Sequence, residues 1–319
     1  VSLVIIQFYQ TAMGWLYGAI LVQILISIVL YNKVVKTNVF SLPRVKLAFT
    51  KKYSRKVFLF IMPVTATLFL QWGQMASFRL IVEDLYSVDA LAFMAVGMAM
   101  SAAVFAAIEG LATQFYMPWY LKKITNASLV ARTNAWNELA TIMIPIYIGV
   151  AIYVAVFSPY FAKILVAEKF YEAYIYASIG AMIELFRVIS NLVYHVSQSE
   201  LNTKKTILPY LLGFGLMLIG LYSIDASESL WKVPVVISVS YLITLIVMYK
   251  EMKKLLFIVL QWELFLKAVM ISVPMIGVWL LNLDKDFMNS ILVMIAGGVY
   301  LVLSFYALLS DKIKSLSIT

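Results

Sequence analysis

The stretch Tyr171–Gln198, YEAYIYASIGAMIELFRVISNLVYHVSQ, decides how this chain is read. It is long and apolar enough to cross a bilayer, yet Glu184 and Arg187 sit near its centre. Glu184, Arg187, Asn191, His195 and Gln198 follow one another at steps of three or four residues, so on a helix of 3.6 residues per turn they fall on one narrow stripe. Most of what faces away is Ile, Leu, Val, Phe, Met or Ala. A charge at membrane depth costs at least ~2.5 kcal/mol on insertion scales and persists where it faces protein or water, so the stripe is expected to line a bundle core or a cavity.

The whole chain carries the same signature. Of its 319 residues 63% are hydrophobic and 13% charged, against roughly 45–50% apolar and about 25% charged in a soluble domain. The composition identifies an all-α polytopic membrane protein. One His and no Cys exclude most zinc, haem-thiolate, iron–sulfur and cysteine-nucleophile chemistry, which needs several such ligands together. A net charge of +9 would suggest a nucleic-acid partner in a soluble protein. Here the positions of the basic residues matter more than their sum, and no nucleic-acid partner is expected. The chain begins at Val1 inside an apolar run, with no signal-peptide pattern. It reads as a protein lacking its N-terminal part.

Outward from the opening stretch, about nine complete transmembrane helices are expected. They fall near residues 15–31, 57–80, 89–112, 136–157, 172–198, 206–223, 233–250, 266–282 and 290–309, each long enough for the hydrocarbon core. Val1–Phe8 would end an earlier helix, with a turn near Tyr9–Gly14, or else join one long tilted helix. The loop Asn32–Lys56 holds Lys33, Lys36, Arg44, Lys46, Lys51, Lys52, Arg55 and Lys56 and no acid, which makes it cytoplasmic by the positive-inside rule. Ser41-Leu-Pro43 could open a short surface helix there, or the loop is simply solvated. The alternation that follows places Lys122, Lys123, Arg132, Lys204, Lys205 and Lys250 inside and only Lys163, Lys169, Lys232 and Lys285 outside, so the C-terminus is expected in the cytoplasm. Every outer loop reads as short, the longest being Ser158–Tyr171. That argues against an integral-membrane glycan polymerase or acyltransferase, as does the lack of a nucleophile or metal-ligand constellation.

Other spans carry polar groups with two readings each. Thr67, Gln71 and Gln74 lie at four- and three-residue steps; the two glutamines either hydrogen-bond neighbouring helices or line a cavity. Glu109 lies within the 89–112 span. Arg79, near an outer end, can snorkel toward Glu83 and Asp84. Glu138 reads as a first-turn charge matching the helix dipole. His195 is a satisfied interfacial imidazole or a proton relay. Glu184 and Arg187, at i and i+3, either satisfy each other or serve a cavity.

Several segments resemble one family. The lysine-rich loop leads into LFIMPVTATLFLQWGQMASFRL with an early Pro63 and a Ser77-x-Arg79; Gln114–Pro118 precedes the Lys122-Lys123 stop, and Lys169-Phe170-Tyr171-Glu172-Ala173 precedes the next helix. These features resemble the second half of polysaccharide-biosynthesis flippases, the Wzx-type O-antigen or capsule exporters of the multidrug/oligosaccharidyl-lipid/polysaccharide superfamily. Phe78 stands where the family often has Asp, and Leu91-Ala92-Phe93 where it has Gly-x-Tyr.

The resemblance implies that residues 1–31 end a first lobe, 32–56 link the lobes, 57–254 form a second six-helix lobe, and 255–319 add a C-terminal helix pair and tail. It implies a bacterial or archaeal cytoplasmic-membrane transporter rather than an enzyme. Two lobes would rock around a cavity holding a polyprenyl-pyrophosphate-linked oligosaccharide, driven by Na+ or H+ and with no other cofactor. Membrane lipids and other glycan-assembly proteins would be its partners. Arg187 would contact the headgroup, because its planar fork suits phosphate. Glu184 would orient it or answer a coupling cation, and Asn191 and His195 would continue the track. Gln71, Gln74, Arg79 and Glu109 complete the candidate cavity. A cation-coupled drug exporter of the same superfamily is the competing expectation and would favour acidic walls.

Overall fold

The computed structural model describes residues 12–36, 51–225, 227, 229–280 and 286–317. All regular structure among them is helical. We number the α-helices in chain order: α1 (Ala12–Lys36), α2 (Lys51–Ala76), α3 (Phe78–Leu85), α4 (Val88–Ile124), α5 (Leu129–Leu165), α6 (Tyr174–Ser199), α7 (Ile207–Tyr222), α8 (Lys232–Lys253), α9 (Trp262–Leu280) and α10 (Phe287–Ser317). Short 3-10 turns at Glu168–Ala173 and Thr203–Thr206 lead into α6 and α7.

Eight segments are long and apolar enough to cross a membrane: Val57–Leu85, Val88–Ile124, Leu129–Leu165, Glu168–Ser199, Thr203–Tyr222, Lys232–Lys253, Trp262–Trp279 and Phe287–Lys312. The protein is an all-α, multi-pass membrane protein. The expected 15–31 span lies within α1, whose described apolar stretch, Ile20–Lys33, is shorter. Two compact units divide the chain, Val1–Leu59 and Phe60–Thr319. In the first, α1 carries exposed Ile24, Leu25, Ile28, Val29 and Leu30, so it is apolar on every side. The expected helix end at Val1–Phe8 and the surface helix opening at Ser41-Leu-Pro43 lie outside the described residues. So does most of the basic loop.

Sequence explains where the helices of the second unit begin and end. Ser87 caps α4 by accepting the Ala90 N–H at 3.1 Å; Asp89 stands in its first turn and Lys122 and Lys123 in its last, each complementing the helix dipole. Ser128 caps α5 in the same way through the Ala131 N–H at 3.3 Å. Both helices outrun the expected spans. Pro118, Pro145 and Pro159 lie inside them and stop neither, as is usual where neighbouring helices re-satisfy the freed backbone groups. As a result, most of the expected loop at Ser158–Tyr171 is the end of α5 followed by a 3-10 turn. Glu138 is likewise not in a first turn. The helix starts at Leu129, and Glu138 accepts a salt bridge from Lys123 Nζ at 2.8 Å.

Helix α5 is the centre of the bundle. Its most apolar window is 72% buried, against 11% for that of α10. Helices α4, α6, α9 and α10 all pack on it, while α6 also meets α4 and α8, and α8 meets α7. Trp136 is fully buried between α5 and α6 and donates its Nε1–H to the Leu192 carbonyl at 3.1 Å. Side chains also fix the C-terminal pair to α5: Tyr153 donates to the Met294 carbonyl and Trp279 to the Val156 carbonyl, both at 2.8 Å. Glycine permits one close approach that positions α6. A Cβ at Gly97 on α4 would meet the Ala173 carbonyl oxygen at 2.3 Å, so only glycine lets the turn before α6 lie on the α4 backbone.

Candidate functional site: an ionic cluster inside the bundle

Midway along α6, the Arg187 guanidinium is held by two carboxylates. Its Nε donates to Glu184 Oε2 at 2.7 Å, one turn back on the same helix, and Nη2 donates to Glu109 Oε2 on α4 at 3.0 Å. The other Glu109 oxygen accepts Asn191 Nδ2 at 2.9 Å. Asn191 Oδ1 in turn accepts Gln71 Nε2 from α2 at 3.3 Å and stands 3.5 Å from the Tyr210 hydroxyl of α7. Four helices therefore meet through one polar chain. The spacing behind it is helical: residues 184, 187 and 191 share a face, and that face looks at α4.

The depth of the cluster follows from the helix lengths. Glu109 lies as far from Lys122 on α4 as Arg187 lies from Glu200 beyond the end of α6, about 20 Å at a rise of 1.5 Å per residue. These groups thus sit well inside a ~30 Å hydrocarbon layer. They are not sealed. The side chains of Arg187, Glu184 and Glu109 keep 16%, 14% and 26% of their exposure, so the cluster is open to small species. With both carboxylates ionised it has a formal charge of −1, since two acids face one guanidinium. That arrangement can hold a proton or a cation. It can also exchange Arg187 from a carboxylate to a stronger anionic ligand, because a guanidinium keeps its charge and has further N–H groups to offer.

Of the residues singled out from sequence, Arg187, Glu184, Asn191, Glu109 and Gln71 converge here. Gln74, Arg79 and His195 do not. Gln74 turns to a separate, neutral node, where Nε2 donates to Ser240 Oγ at 3.0 Å and lies 3.2 Å from Thr244 Oγ1, all three fully enclosed. A Cβ at Gly213 would meet Thr244 Oγ1 at 1.8 Å, so this node needs glycine beside it. Arg79 is exposed and lies over the Phe78 ring at 5.8 Å; among the described residues it makes no ion pair with Glu83 or Asp84. His195 shares the α6 stripe but lies beyond the cluster. Its Nδ1 is 3.0 Å from Gln198 Oε1, and it borders a small cavity with Tyr116, Met143 and Tyr147.

Sequence reasoning did not single out Tyr210, Ser240 or Thr244, since uncharged hydroxyls in apolar spans carry little signal. It also missed a bidentate ion pair at the basic ends of α5 and α6. There Arg132 Nε and Nη2 donate to the two Glu200 oxygens at 2.7 and 3.0 Å. No group of three or more potential metal ligands occurs among the described residues.

Compared with known proteins, the chain matches no family model, and neither a curated protein nor a solved structure matches it.

Proposed function

We propose that this protein is a transporter in which the Glu109–Arg187–Glu184 cluster is the charge that substrate and coupling ion exchange. The observation that carries the reading is a guanidinium held by two carboxylates on two helices, partly open, at mid-membrane depth. A purely structural residue set would avoid it: replacing a buried ion pair by packed apolar groups is often neutral or stabilising.

The substrate class proposed is a polyprenyl-pyrophosphate-linked oligosaccharide, flipped by alternating access without covalent chemistry. This finer reading rests on the segments that resemble polysaccharide flippases and on the match between arginine and phosphate. In it, protonation of Glu109, or cation binding beside it, releases Nη2 of Arg187 to the pyrophosphate. Glu184 keeps the guanidinium oriented through Nε. Return of the Glu109 charge expels the headgroup.

Loss of surface polysaccharide in cells whose gene carries Arg187→Ala tests the assignment, with membrane abundance measured beside it. Normal export sinks it. Glu109→Gln should mimic the protonated acid, so a pyrophosphate-lipid analogue binds more tightly while export slows. A second reading, a cation-coupled drug exporter, is favoured by the excess of acid over base in the cluster. Dye efflux by intact cells, abolished by Glu109→Gln, would decide for it.

A further inference from the structure

On the side of the membrane where α4 ends in Lys122 and Lys123, a cavity of about 310 Å³ opens between the first turns of α5, the 255–261 link and the end of α10. Its polar lining is Asn134, Asn137, Glu138, Thr141, Gln261 and Lys312. The volume is at the lower end of small-ligand pockets, about 300 Å³. None of these residues belongs to the ionic cluster. Asn137 is structural here: its Oδ1 accepts the Val259 N–H at 2.9 Å and its Nδ2 donates to the Phe257 carbonyl at 3.3 Å, which fixes the cavity rim. Asn134 and Gln261, by contrast, make no side-chain hydrogen bond among the described residues and are exposed to the opening. Lys123 touches only Oε2 of Glu138, so the second carboxylate oxygen retains accepting capacity.

The setting identifies the type of ligand. Phe257, Val259 and Trp262 are all strongly exposed around the link, an aromatic and apolar rim of the kind that lies at the headgroup level. A lining with one carboxylate, one ammonium and several amides is itself dipolar. We infer that this cavity is a binding site for a zwitterionic phospholipid headgroup bearing a primary ammonium, a phosphoethanolamine, from the leaflet on the basic side. Lys312 and the amide of Gln261 or Asn134 take the phosphate oxygens. Glu138 takes the ammonium, whose N–H groups it can accept. A quaternary choline has no N–H to give and would ask for an aromatic cage, which the lining lacks. A glycerol headgroup carries the same phosphate but ends in neutral hydroxyls, so it offers Glu138 hydrogen bonds without the charge of an ammonium.

The purified full chain, stripped of lipid and offered an equimolar mixture of phosphatidylethanolamine, phosphatidylglycerol and phosphatidylcholine of the same acyl length, tests this by native mass spectrometry. One phosphatidylethanolamine should be retained per chain, about tenfold above the other two, and Glu138→Gln and Lys312→Ala should each lower its retention about tenfold, a loss of the order of one charge-assisted contact. Lys312→Arg, which keeps the charge, and Lys123→Ala, which leaves the Glu138 carboxylate in place, should retain the lipid. Thermal midpoints of each variant without lipid separate lost binding from lost folding. Equal retention of phosphatidylglycerol, lipid retention unchanged in Glu138→Gln, or loss of lipid in Lys123→Ala overturns the proposal. So does full displacement of the bound lipid by millimolar inorganic phosphate, which would mark a free-anion site.

Discussion

Two polar groupings lie inside the same bundle, both reached from α2, and they are built on opposite terms. At Gln74, Ser240 and Thr244 every atom is neutral, enclosed, and within reach of a partner, with Gly213 making the room. At Glu109, Glu184 and Arg187 the groups are charged, the acids outnumber the base, and solvent-sized species can reach them. Polar groups that only fasten helices can be sealed and neutral, because membrane hydrogen bonds contribute about 0.6 kcal/mol on average without any charge. The ionic cluster also joins helices, but that task calls for neither its openness nor its excess of acid. The contrast gives one grouping a fastening role and makes the other the place where the proposed transport would act.

Five changes would break or sharpen it, in falling order of effect. Arg187→Ala leaves two carboxylates without their counter-charge and should cost stability near the lower end of the ~3–5 kcal/mol typical of a broken buried pair, the cluster being partly open. The decisive variant is the triple change Arg187→Met, Glu109→Gln and Glu184→Gln: thermal unfolding should return close to wild type while export stays absent. Recovery of both would make the cluster merely structural. Gly213→Ala should lower stability by about 1–3 kcal/mol through overpacking against Thr244, seen as a lower thermal midpoint with export reduced only in proportion to abundance. Gln74→Leu removes one partner from Ser240 and Thr244, which still donate to the Ile237 and Ser240 carbonyls. The expected loss is about 0.6 to 1.7 kcal/mol, with export per molecule unchanged. Smallest is Lys123→Ala, which breaks a half-exposed pair with Glu138 and should shift stability by less than about 1 kcal/mol.

Much of this is legible in the sequence. The helical class and the mid-membrane stripe followed from composition and from spacing on α6, and Glu109 stood out as an acid within an apolar span. What spacing cannot give is which stripe faces which. The meeting of Glu109 with Arg187 depends on α4 packing against α6, a contact between residues far apart in sequence. A single stripe also meets more than one neighbour. From Glu184 to His195 it runs about 16 Å along the helix, so its near end reaches Glu109 while His195 lies beside Tyr116 and Met143. Gln71 and Gln74 diverge for a related reason. Three residues apart, they stand only about 60° from each other around the axis, yet Gln71 reaches Asn191 on α6 and Gln74 reaches Ser240 on α8, because two helices pack side by side against that face. Helix ends were least legible, since apolarity marks the stretch that crosses the bilayer and not how far a capped helix such as α4 or α5 continues beyond it.

The side chains that fasten the C-terminal pair to α5 also govern what a distance probe would see. Asn137 holds the 255–261 link by both ends of its amide, and Tyr153 and Trp279 join α5 to α10 and α9 further along. These hydrogen bonds, spread along α5, tie the pair to that helix. Spin labels placed on α9 and α10 would therefore report the displacement of α5, giving an outside handle on the least accessible helix of the bundle.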